Sequence, residues 1–213
     1  MRALSVSTTS GVGSPAPGLY AGGRFDEAGG EPAGNIAHWN GLRWREVGAG
    51  AVGHTYSLFM FDEDGAGPGE ANLFVGGIFF EVAGIDKPGL VRWDGSGYSA
   101  VGGGLLGFYF GDMPNVKAMI EFDEDGPGPR GSALYAAGSF AYADGIRVNS
   151  IARWDGSNWE AMGNGLGSGV NALAVFDADG PGPGPPMLYA GGGFITRDPA
   201  GNWLRTLARW NGT

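Results

Sequence analysis

The chain has no cysteine and only two histidines among its 213 residues. Without thiols there can be no disulfide framework, thiolate zinc site, iron–sulfur cluster or cysteine nucleophile. His38 and His54 are too few for a histidine-rich metal centre. Basic residues are also scarce, since 13 lysines and arginines stand against 22 acidic residues, for a net charge of −9. We therefore expect no binding to nucleic acid or to an anionic membrane surface.

Long apolar runs are missing as well. None approaches the about 20 residues that a membrane-spanning helix needs, so membrane insertion is not expected. Residues 1–15 contain one basic residue and no apolar stretch of useful length, which does not fit a secretory signal. The sequence by itself indicates no compartment.

Glycine and aromatic residues are abundant instead. The chain has 44 glycines and 13 prolines, but also 7 tryptophans, 7 tyrosines and 12 phenylalanines. Disordered chains are poor in aromatic residues, so this composition indicates a glycine-rich repeat rather than disorder.

A long repeat runs through the chain. A phrase of the type Leu-Tyr-Ala-Gly-Gly begins four times, at Leu19, Leu73, Leu134 and Leu188. A tryptophan followed by Asp or Asn and then Gly comes later in each copy, at Trp39, Trp93, Trp154 and Trp210. A second aromatic residue and then a glycine follow in three copies, at Trp44 and Gly48, Tyr98 and Gly102, and Trp159 and Gly163. The repeats span residues 1–54, 55–115, 116–169 and 170–213, and the last one is incomplete.

Each repeat predicts four short strands. The first is an apolar run, at residues 3–6, 55–61, 116–122 and 170–176, which we expect to be buried on both faces. The double-glycine phrase forms the second strand, and the third ends at the repeated tryptophan. A tight turn at Asn-Gly or Asp-Gly then leads into the fourth strand. No segment has a sustained helical period, so the prediction is an all-β chain of four-stranded propeller blades, forming one region over residues 1–213.

These phrases resemble those of kelch-type β-propellers, including the central propeller of the galactose oxidase superfamily. They are most similar to the glycine-rich "ARWDGxxW" repeats of large exported bacterial proteins. Kelch blades usually carry tyrosine on the third strand, where this chain has tryptophan, so the resemblance is kelch-like rather than strict. It implies an extracytoplasmic location. The copper centre of galactose oxidase is not implied, because its Tyr–Cys crosslink needs a cysteine.

Two propeller architectures fit the repeat. One is a closed four-bladed ring with an incomplete last blade, and the other is four consecutive blades of a larger propeller. We favour the second, because the first leaves an unpaired third-strand edge in the last blade.

Three copies share an acidic turn that could hold calcium. Pairs of aspartates two residues apart precede a glycine, at Asp62 and Asp64, Asp123 and Asp125, and Asp177 and Asp179. This is a fragment of a calcium loop, but it lacks the distal bidentate acid. The alternative, which we favour, is a solvated hairpin whose aspartates cap the turn. No cofactor is expected beyond this possible calcium.

Residues that recur in every copy are expected to be structural. The tryptophans fit between-blade packing better than sugar stacking. Arg92, Arg153 and Arg209 precede the repeated tryptophan, and we expect each to pair with a carbonyl or an acid between blades. His38 stands in that position in the first copy as a tolerated substitution.

Residues that break the repeat are the better candidates for binding. The second copy has a longer segment, residues 103–115, and the fourth copy adds a tryptophan in the loop before its third strand. The candidate ligand-binding residues are Phe108, Tyr109, Phe110, Asp112 and Trp203. We expect them to lie on the face of the second-to-third-strand loops and to contact a protein or a glycan. The alternative is that these aromatic residues cover a blade edge.

Catalytic motifs are absent from the sequence. There is no Ser-His-Asp spacing and no Gly-x-Ser-x-Gly, and the phrase at Asp155 does not match the Asp-x-Gly-x-x-Trp box of sialidases. We therefore expect a non-enzymatic extracytoplasmic binding or scaffold module. The alternative is a carbohydrate-active enzyme or a lectin-type propeller, which a non-repeating acidic or aromatic cluster at the central channel mouth would favour.

Overall fold

The computed structural model describes residues 1–8, 13–65, 69–86, 88–109, 111–126, 128–178, 180, 184–197 and 201–210. Throughout these residues the regular structure is β-strand, and no helix occurs. Accordingly, this part of the chain contains no helix that could cross a membrane. The all-β class expected from the sequence is confirmed.

The first two copies begin the series of sheets. The strands of the first copy are β1 (Ala3–Ser7), β2 (Gly18–Gly22), β3 (Glu27–Ala28), β4 (Glu31–Pro32), β5 (Ile36–Trp39) and β6 (Trp44–Glu46). Those of the second copy are β7 (Val52–Phe61), β8 (Asn72–Val82), β9 (Ile85–Asp86), β10 (Leu90–Trp93), β11 (Tyr98–Ala100) and β12 (Leu105–Leu106). The first sheet has the order β1-β2-β5-β6 and the second β7-β8-β10-β11, both antiparallel.

The last two copies continue the same plan. The third copy contributes β13 (Asn115–Phe122), β14 (Ala133–Ser139), β15 (Tyr142–Ala143), β16 (Ile146–Arg147), β17 (Ile151–Trp154) and β18 (Trp159–Ala161). The fourth contributes β19 (Val170–Phe176), β20 (Met187–Arg197) and β21 (Trp203–Trp210). The third sheet is β13-β14-β17-β18 and the fourth is β19-β20-β21. Each of the first three copies thus has a sheet with a main path of four strands, and the last copy has a sheet of three, as the repeat predicts.

The sheets pack in series through their first strands. Strand β1 contacts β7, β7 contacts β13, and β13 contacts β19. An apolar core lies between each sheet and the next, containing Tyr20 and Leu58 in the first case, Phe74 and Leu134 in the second, and Tyr135 and Leu188 in the third. The molecule therefore buries its apolar side chains between sheets, and each sheet depends on its neighbours.

Burial of the first strands differs from the expectation. We expected these strands to be buried on both faces, but Leu4 and Val6 of β1 are 51% and 61% exposed. In β19, Phe176 is 59% exposed. The expectation is wrong for the two end sheets, because each has a neighbour on one face only.

The two glycines of the double-glycine phrase are needed for different reasons. A Cβ at Gly138, the second glycine of its copy, would lie 1.8 Å from the carbonyl oxygen of Asn115 at the start of the paired strand. A Cβ at Gly76, a first glycine, would lie 2.8 Å from Val116 Cγ1 of the next sheet. The second glycine thus permits close strand pairing, and Gly76 permits close approach of the next sheet, whereas the third copy carries Ala137 at the position of the first glycine.

Candidate functional surface

The repeated aromatic pair joins each sheet to the preceding one. Trp93 and Tyr98 pack against each other with ring centroids 4.8 Å apart, and the Tyr98 hydroxyl donates to the Val47 carbonyl of the first sheet at 2.9 Å. A Cβ at Gly48 would lie 2.8 Å from both rings, and Gly48 has a φ of 59°. The glycine after the aromatic pair is therefore required both by packing and by its backbone conformation.

The next pair of sheets repeats this contact. Trp159 donates its indole N–H to the Val101 carbonyl at 3.1 Å, and Gly102 takes the place of Gly48 beneath the rings. Trp154 and Trp159 are 4% and 2% exposed. Their rings are part of the core, so they are not available for stacking on a sugar.

A partly buried glutamate in the acidic turn links neighbouring sheets. Glu63 pairs with Arg92 of its own sheet, and its Oε1 accepts the indole N–H of Trp154 from the third sheet at 2.8 Å. Arg92 therefore pairs with an acid, as expected, but within one sheet and not between sheets, and Arg153 likewise pairs with acids of its own sheet.

Glu124 makes the equivalent link one sheet later. Its Oε2 accepts the indole N–H of Trp210 from the fourth sheet at 3.0 Å and the Tyr135 hydroxyl at 3.2 Å. Its Oε1 pairs with Arg130 and lies 3.8 Å from Arg153 Nε. Our sequence reasoning missed both glutamates. The sequence did contain a signal for them. In the second and third copies a glutamate lies between the two aspartates of the acidic turn, whereas the fourth copy has Ala178 at that position.

The aspartates of the acidic turns hydrogen-bond the turn backbone. Asp62 Oδ1 accepts the N–H of Asp64 at 3.3 Å, and Asp64 Oδ2 accepts the N–H of Gly69 at 3.0 Å. Asp123 and Asp125 accept the N–H groups of Asp125 and Arg130 in the same way, at 3.3 and 3.2 Å. Burial and the hydrogen bond with Asp64 raise the pKa of Asp62.

The calcium hypothesis remains a prediction. Asp177 is half-buried, and Asp179 lies outside the described residues. Within the described ranges, no group of three or more His, Asp or Glu side chains is placed to hold a metal ion.

The turn after the repeated tryptophan is capped by its acidic residue. Asp94 Oδ1 accepts the N–H groups of Ser96 and Gly97, both at 2.8 Å, and Gly95 has a φ of 93°. The hydrogen bonds from Gly97 and Ser96 lower the pKa of Asp94. Asn40 takes the same role in the first sheet, where its Oδ1 accepts the N–H groups of Leu42 and Arg43 at 3.0 Å.

Low pH is expected to destabilise the folded protein, partly through protonation of Asp94 in this turn. Because the folded-state pKa of Asp94 is lowered, its contribution to stability is complete above the unfolded value of about 3.9 and is lost as the pH falls through the folded value. Asp94→Asn keeps the acceptor oxygen but cannot titrate. Between about pH 5 and about pH 2, its melting temperature should fall about 1 to 3 °C less than that of the wild type. Identical pH profiles in thermal melts would contradict this.

The longer segment of the second copy builds a small sheet with the third. Strand β12 pairs with β15, and β15 pairs with β16 in the connection between the second and third strands of the third sheet. Leu105 and Ala143 are buried, whereas Leu106 is 60% exposed and lies opposite Tyr142. Tyr142 in turn lies opposite the exposed Arg147. The segment therefore lies beside a second-to-third-strand connection.

The predicted binding residues of this segment lie just after β12. Tyr109 is 80% exposed, and its backbone N–H donates to Asp112 Oδ2 at 2.9 Å, which holds the turn. Phe108 is half-buried. Phe110 lies outside the described residues.

Trp203 lies elsewhere than expected. We placed it in a loop, but it begins β21 and pairs with Arg197 across an extended hairpin. Its ring is 56% exposed, with the Arg197 guanidinium 4.2 Å from its centroid and that of Arg205 at 5.9 Å. Tyr109 and Asp112 are thus brought together, whereas Trp203 belongs to the fourth sheet.

A polar cleft lies beside the acidic turn of the third sheet. Its volume is about 380 Å³, and its lining includes Arg130, Arg153, Asp155 and Glu160. Arg153 Nη1 lies 3.1 Å and Arg130 Nη2 2.6 Å from Glu160 Oε2. Both arginines of this cleft are therefore paired with Glu160, and Asp155 accepts the N–H groups of Ser157 and Asn158, which is the arrangement of a structural network.

The first strands of the second, third and fourth sheets each contain a bulge of one residue, and the bulged residue differs from copy to copy. Pairing with the second strand skips one residue between Thr55 and Ser57, between Val116 and Ala118, and between Val170 and Ala172. The skipped residues are Tyr56, Lys117 and Asn171. Lys117 Nζ donates to Asn171 Oδ1 at 2.8 Å, so two of these residues meet across neighbouring sheets. Our sequence reasoning missed these bulges, because one extra residue leaves the apolar pattern almost unchanged.

No family model matches the chain, and neither a curated protein nor a solved structure matches it. The class of the protein is therefore defined by its own fold, a series of antiparallel sheets packed face to face.

Proposed function

We propose that the four sheets are consecutive blades of a kelch-like β-propeller that acts as a non-enzymatic binding module. The order of strands within each sheet and the serial packing of the first strands support this architecture. The extracytoplasmic location is inferred from the resemblance to exported glycine-rich repeat proteins.

The exposed side of the small sheet carries the proposed binding function. We call Leu106, Tyr109, Tyr142 and Arg147 the recognition surface. The observation that supports it best is Tyr109, whose ring is 80% exposed while its turn is held by Asp112. An anchored but exposed aromatic ring loses little conformational entropy when it is buried by a partner. Grouped exposed apolar side chains mark interaction sites, and tyrosine and arginine are enriched among residues that dominate binding.

A protein partner fits this surface better than a glycan. Leu106 and Tyr142 lie opposite each other and are 60% and 36% exposed. Their apolar surface gains most from contact with other apolar side chains. Sugars need polar side chains to bond their hydroxyls, and the one side chain that β12 exposes is Leu106.

The proposal is tested by selecting ligands for the whole chain from two probes, a displayed peptide library and an array of immobilised glycans. Peptides are expected to be enriched, and Tyr109→Ala and Leu106→Ala should each weaken their binding at least about tenfold. Leu42→Ala is the matched control, because Leu42 is 86% exposed in a turn of the first sheet.

Three results would count against the proposal. Enrichment of glycans alone would favour the lectin-type alternative. Equal losses for Leu42→Ala and Tyr109→Ala would show that the peptides adhere non-specifically. Failure to enrich any ligand from either probe would remove the recognition surface from consideration as a binding site.

A further inference from the structure

The first strands of the four sheets carry one polar side chain each at the same position. Each of these residues directly precedes the residue that lies opposite the first glycine position of its sheet. In the second, third and fourth sheets it is the bulged residue, and in the first sheet it is the residue before Ala3. We call these four residues the polar row: Arg2, Tyr56, Lys117 and Asn171.

The side chains of the polar row meet across neighbouring sheets. The Arg2 guanidinium lies 4.8 Å from the centroid of the Tyr56 ring. Lys117 Nζ donates to Asn171 Oδ1 at 2.8 Å. These two pairs are adjacent, because a hydrogen bond of 3.5 Å joins the residue after Tyr56 to the residue before Lys117. The row therefore runs across all four sheets.

Both basic residues of the row lack an acidic partner among the described residues. Arg92, Arg130 and Arg153 pair with glutamates. In contrast, Arg2 contacts an aromatic ring and Lys117 a neutral amide. A ring face and an amide oxygen orient a cation without neutralising its charge. In a chain with 22 acidic and 13 basic residues, the row is thus a locally positive surface.

Two buried polar atoms beside the row also have no hydrogen-bond partner in the part of the chain that the structure describes. They are Nδ1 of His54 and Oδ1 of Asn115, and each residue lies two positions before a member of the row. The centroid of the His54 ring is 6.4 Å from that of Tyr56. Because buried polar groups are nearly always hydrogen-bonded, two such atoms at the same position of neighbouring sheets indicate a place for a bound molecule.

The row varies where the repeat is otherwise constant. The repeated tryptophan is the same in all four copies, as between-sheet packing requires. The row instead presents a guanidinium, a phenol, an ammonium and an amide. Bulges re-aim side chains and are over-represented next to functional sites. Four different hydrogen-bonding groups at one repeat position fit the recognition of a ligand better than they fit packing.

We infer that the polar row binds a small anion with two or more carboxylate or phosphate groups. Arg2 and Lys117 supply charge-assisted hydrogen bonds to the anionic groups, and the Asn171 amide N–H groups donate beside them. The net charge of −9 repels nucleic acid and anionic surfaces, which extend far beyond the row, so a small anion is the better fit. The row shares no residue with the recognition surface, so this binding is independent of the proposed function.

Calorimetric titration of the whole chain at neutral pH and low salt tests this site with two probes, citrate and inorganic pyrophosphate. At least one should bind one-to-one with a Kd below about 1 mM, and added salt should weaken the binding. Citrate alone would assign a carboxylate ligand, and pyrophosphate alone a phosphate ligand. Glycerol, which has hydroxyl groups but no charge, should not bind.

Three variants locate the bound anion. Lys117→Met and Arg2→Met should each weaken binding about tenfold or more, because each removes a charged hydrogen-bond donor. Lys117→Arg keeps the charge and should retain binding. Arg43→Met is the matched control, since Arg43 is an exposed arginine in a turn of the first sheet. It should leave the Kd unchanged, and the melting temperature of Lys117→Met should match that of the wild type.

The histidine ring signals in NMR spectra give a second readout, because the chain has only two histidines. At fixed pH, the bound anion should shift the signals of His54. It should not shift those of His38, whose ring stacks on Tyr20 at 4.5 Å in the first sheet. The inference would be overturned if neither probe binds more tightly than about 1 mM, or if binding leaves His54 unchanged. It would also be overturned if Arg43→Met weakens binding as much as Lys117→Met does.

Discussion

Replacing Gly138 by alanine is expected to lower the free energy of unfolding by about 3 kcal/mol or more, which is a large part of the total for a single domain. The added Cβ would lie 1.8 Å from the Asn115 carbonyl oxygen and 2.8 Å from its carbonyl carbon. Both are backbone atoms at the start of β13, so no side chain can rotate away. The strand pairing between β13 and β14 must open to admit one methyl group, and the cores on both sides of the third sheet lose support.

Urea denaturation of Gly138→Ala beside Gly131→Ala measures this effect. Gly131 lies in the same copy, has no atom within 4 Å of an added Cβ, and does not have a positive φ. Its replacement should leave stability unchanged or raise it by a few tenths of a kcal/mol, because alanine narrows the unfolded ensemble. Similar midpoints for the two variants would mean that the close approach at Asn115 relaxes without cost.

The strand plan could be predicted because local turns set it. The third strands of the first three copies are β5, β10 and β17, and all three end at the repeated tryptophan, as expected. In each, an Asn or Asp beside a glycine forms a turn whose side chain caps the backbone, so the sequence marks the end of the strand directly. The aromatic residue after the turn then pairs with the repeated tryptophan.

Contacts between distant residues could not be predicted in the same way. Glu63 and Trp154 are 91 positions apart, and nothing in the acidic turn indicates which indole its carboxylate will meet. The arginines were expected to find an acid or a carbonyl, but which one depends on how the sheets stack. The two aspartates on either side of the glutamate suggested a calcium site. The glutamate between them makes the contacts with the neighbouring sheet.

Departures from the repeat were the least predictable. The hairpin of β20 and β21 extends to Trp203, although the corresponding third strands begin three residues before the tryptophan. The length of a hairpin depends on pairing between its two strands, which the sequence of one strand alone does not determine. The insertion in the second copy was recognised by its length. Its pairing with the third sheet could not be foreseen, because Leu106 lies opposite Tyr142, which is 36 residues away.

Glu124→Ala is expected to destabilise the protein by about 3 to 5 kcal/mol, the loss typical of a broken buried ion pair. The Glu124 side chain is 5% exposed and that of Arg153 is 7% exposed. Removing the carboxylate leaves a buried guanidinium with less compensation. It also leaves the indole N–H of Trp210 and the hydroxyl of Tyr135 without their acceptor. The third and fourth sheets would also lose the hydrogen bond between Trp210 and Glu124 that joins them.

Two companion variants separate the causes. Glu124→Gln keeps an acceptor oxygen for Trp210 but removes the charge, so its loss should be intermediate. Glu160→Ala removes a carboxylate that also contacts Arg153, at 3.1 Å, but is 38% exposed, so solvent screening should keep its cost below about 1 kcal/mol.

The measurements are urea denaturation and an alkaline titration of tyrosine absorbance. Burial, and secondly the charge of Glu124, raise the pKa of Tyr135. Stability that depends on the protonated phenol is complete below the unfolded value of about 10 and is lost as the pH rises through the folded value. Glu124→Ala should bring the Tyr135 transition to lower pH, which a purely steric defect would not do. If Glu124→Ala and Glu160→Ala cost the same and the tyrosine transition stays in place, the carboxylate between the sheets contributes no more than an exposed one.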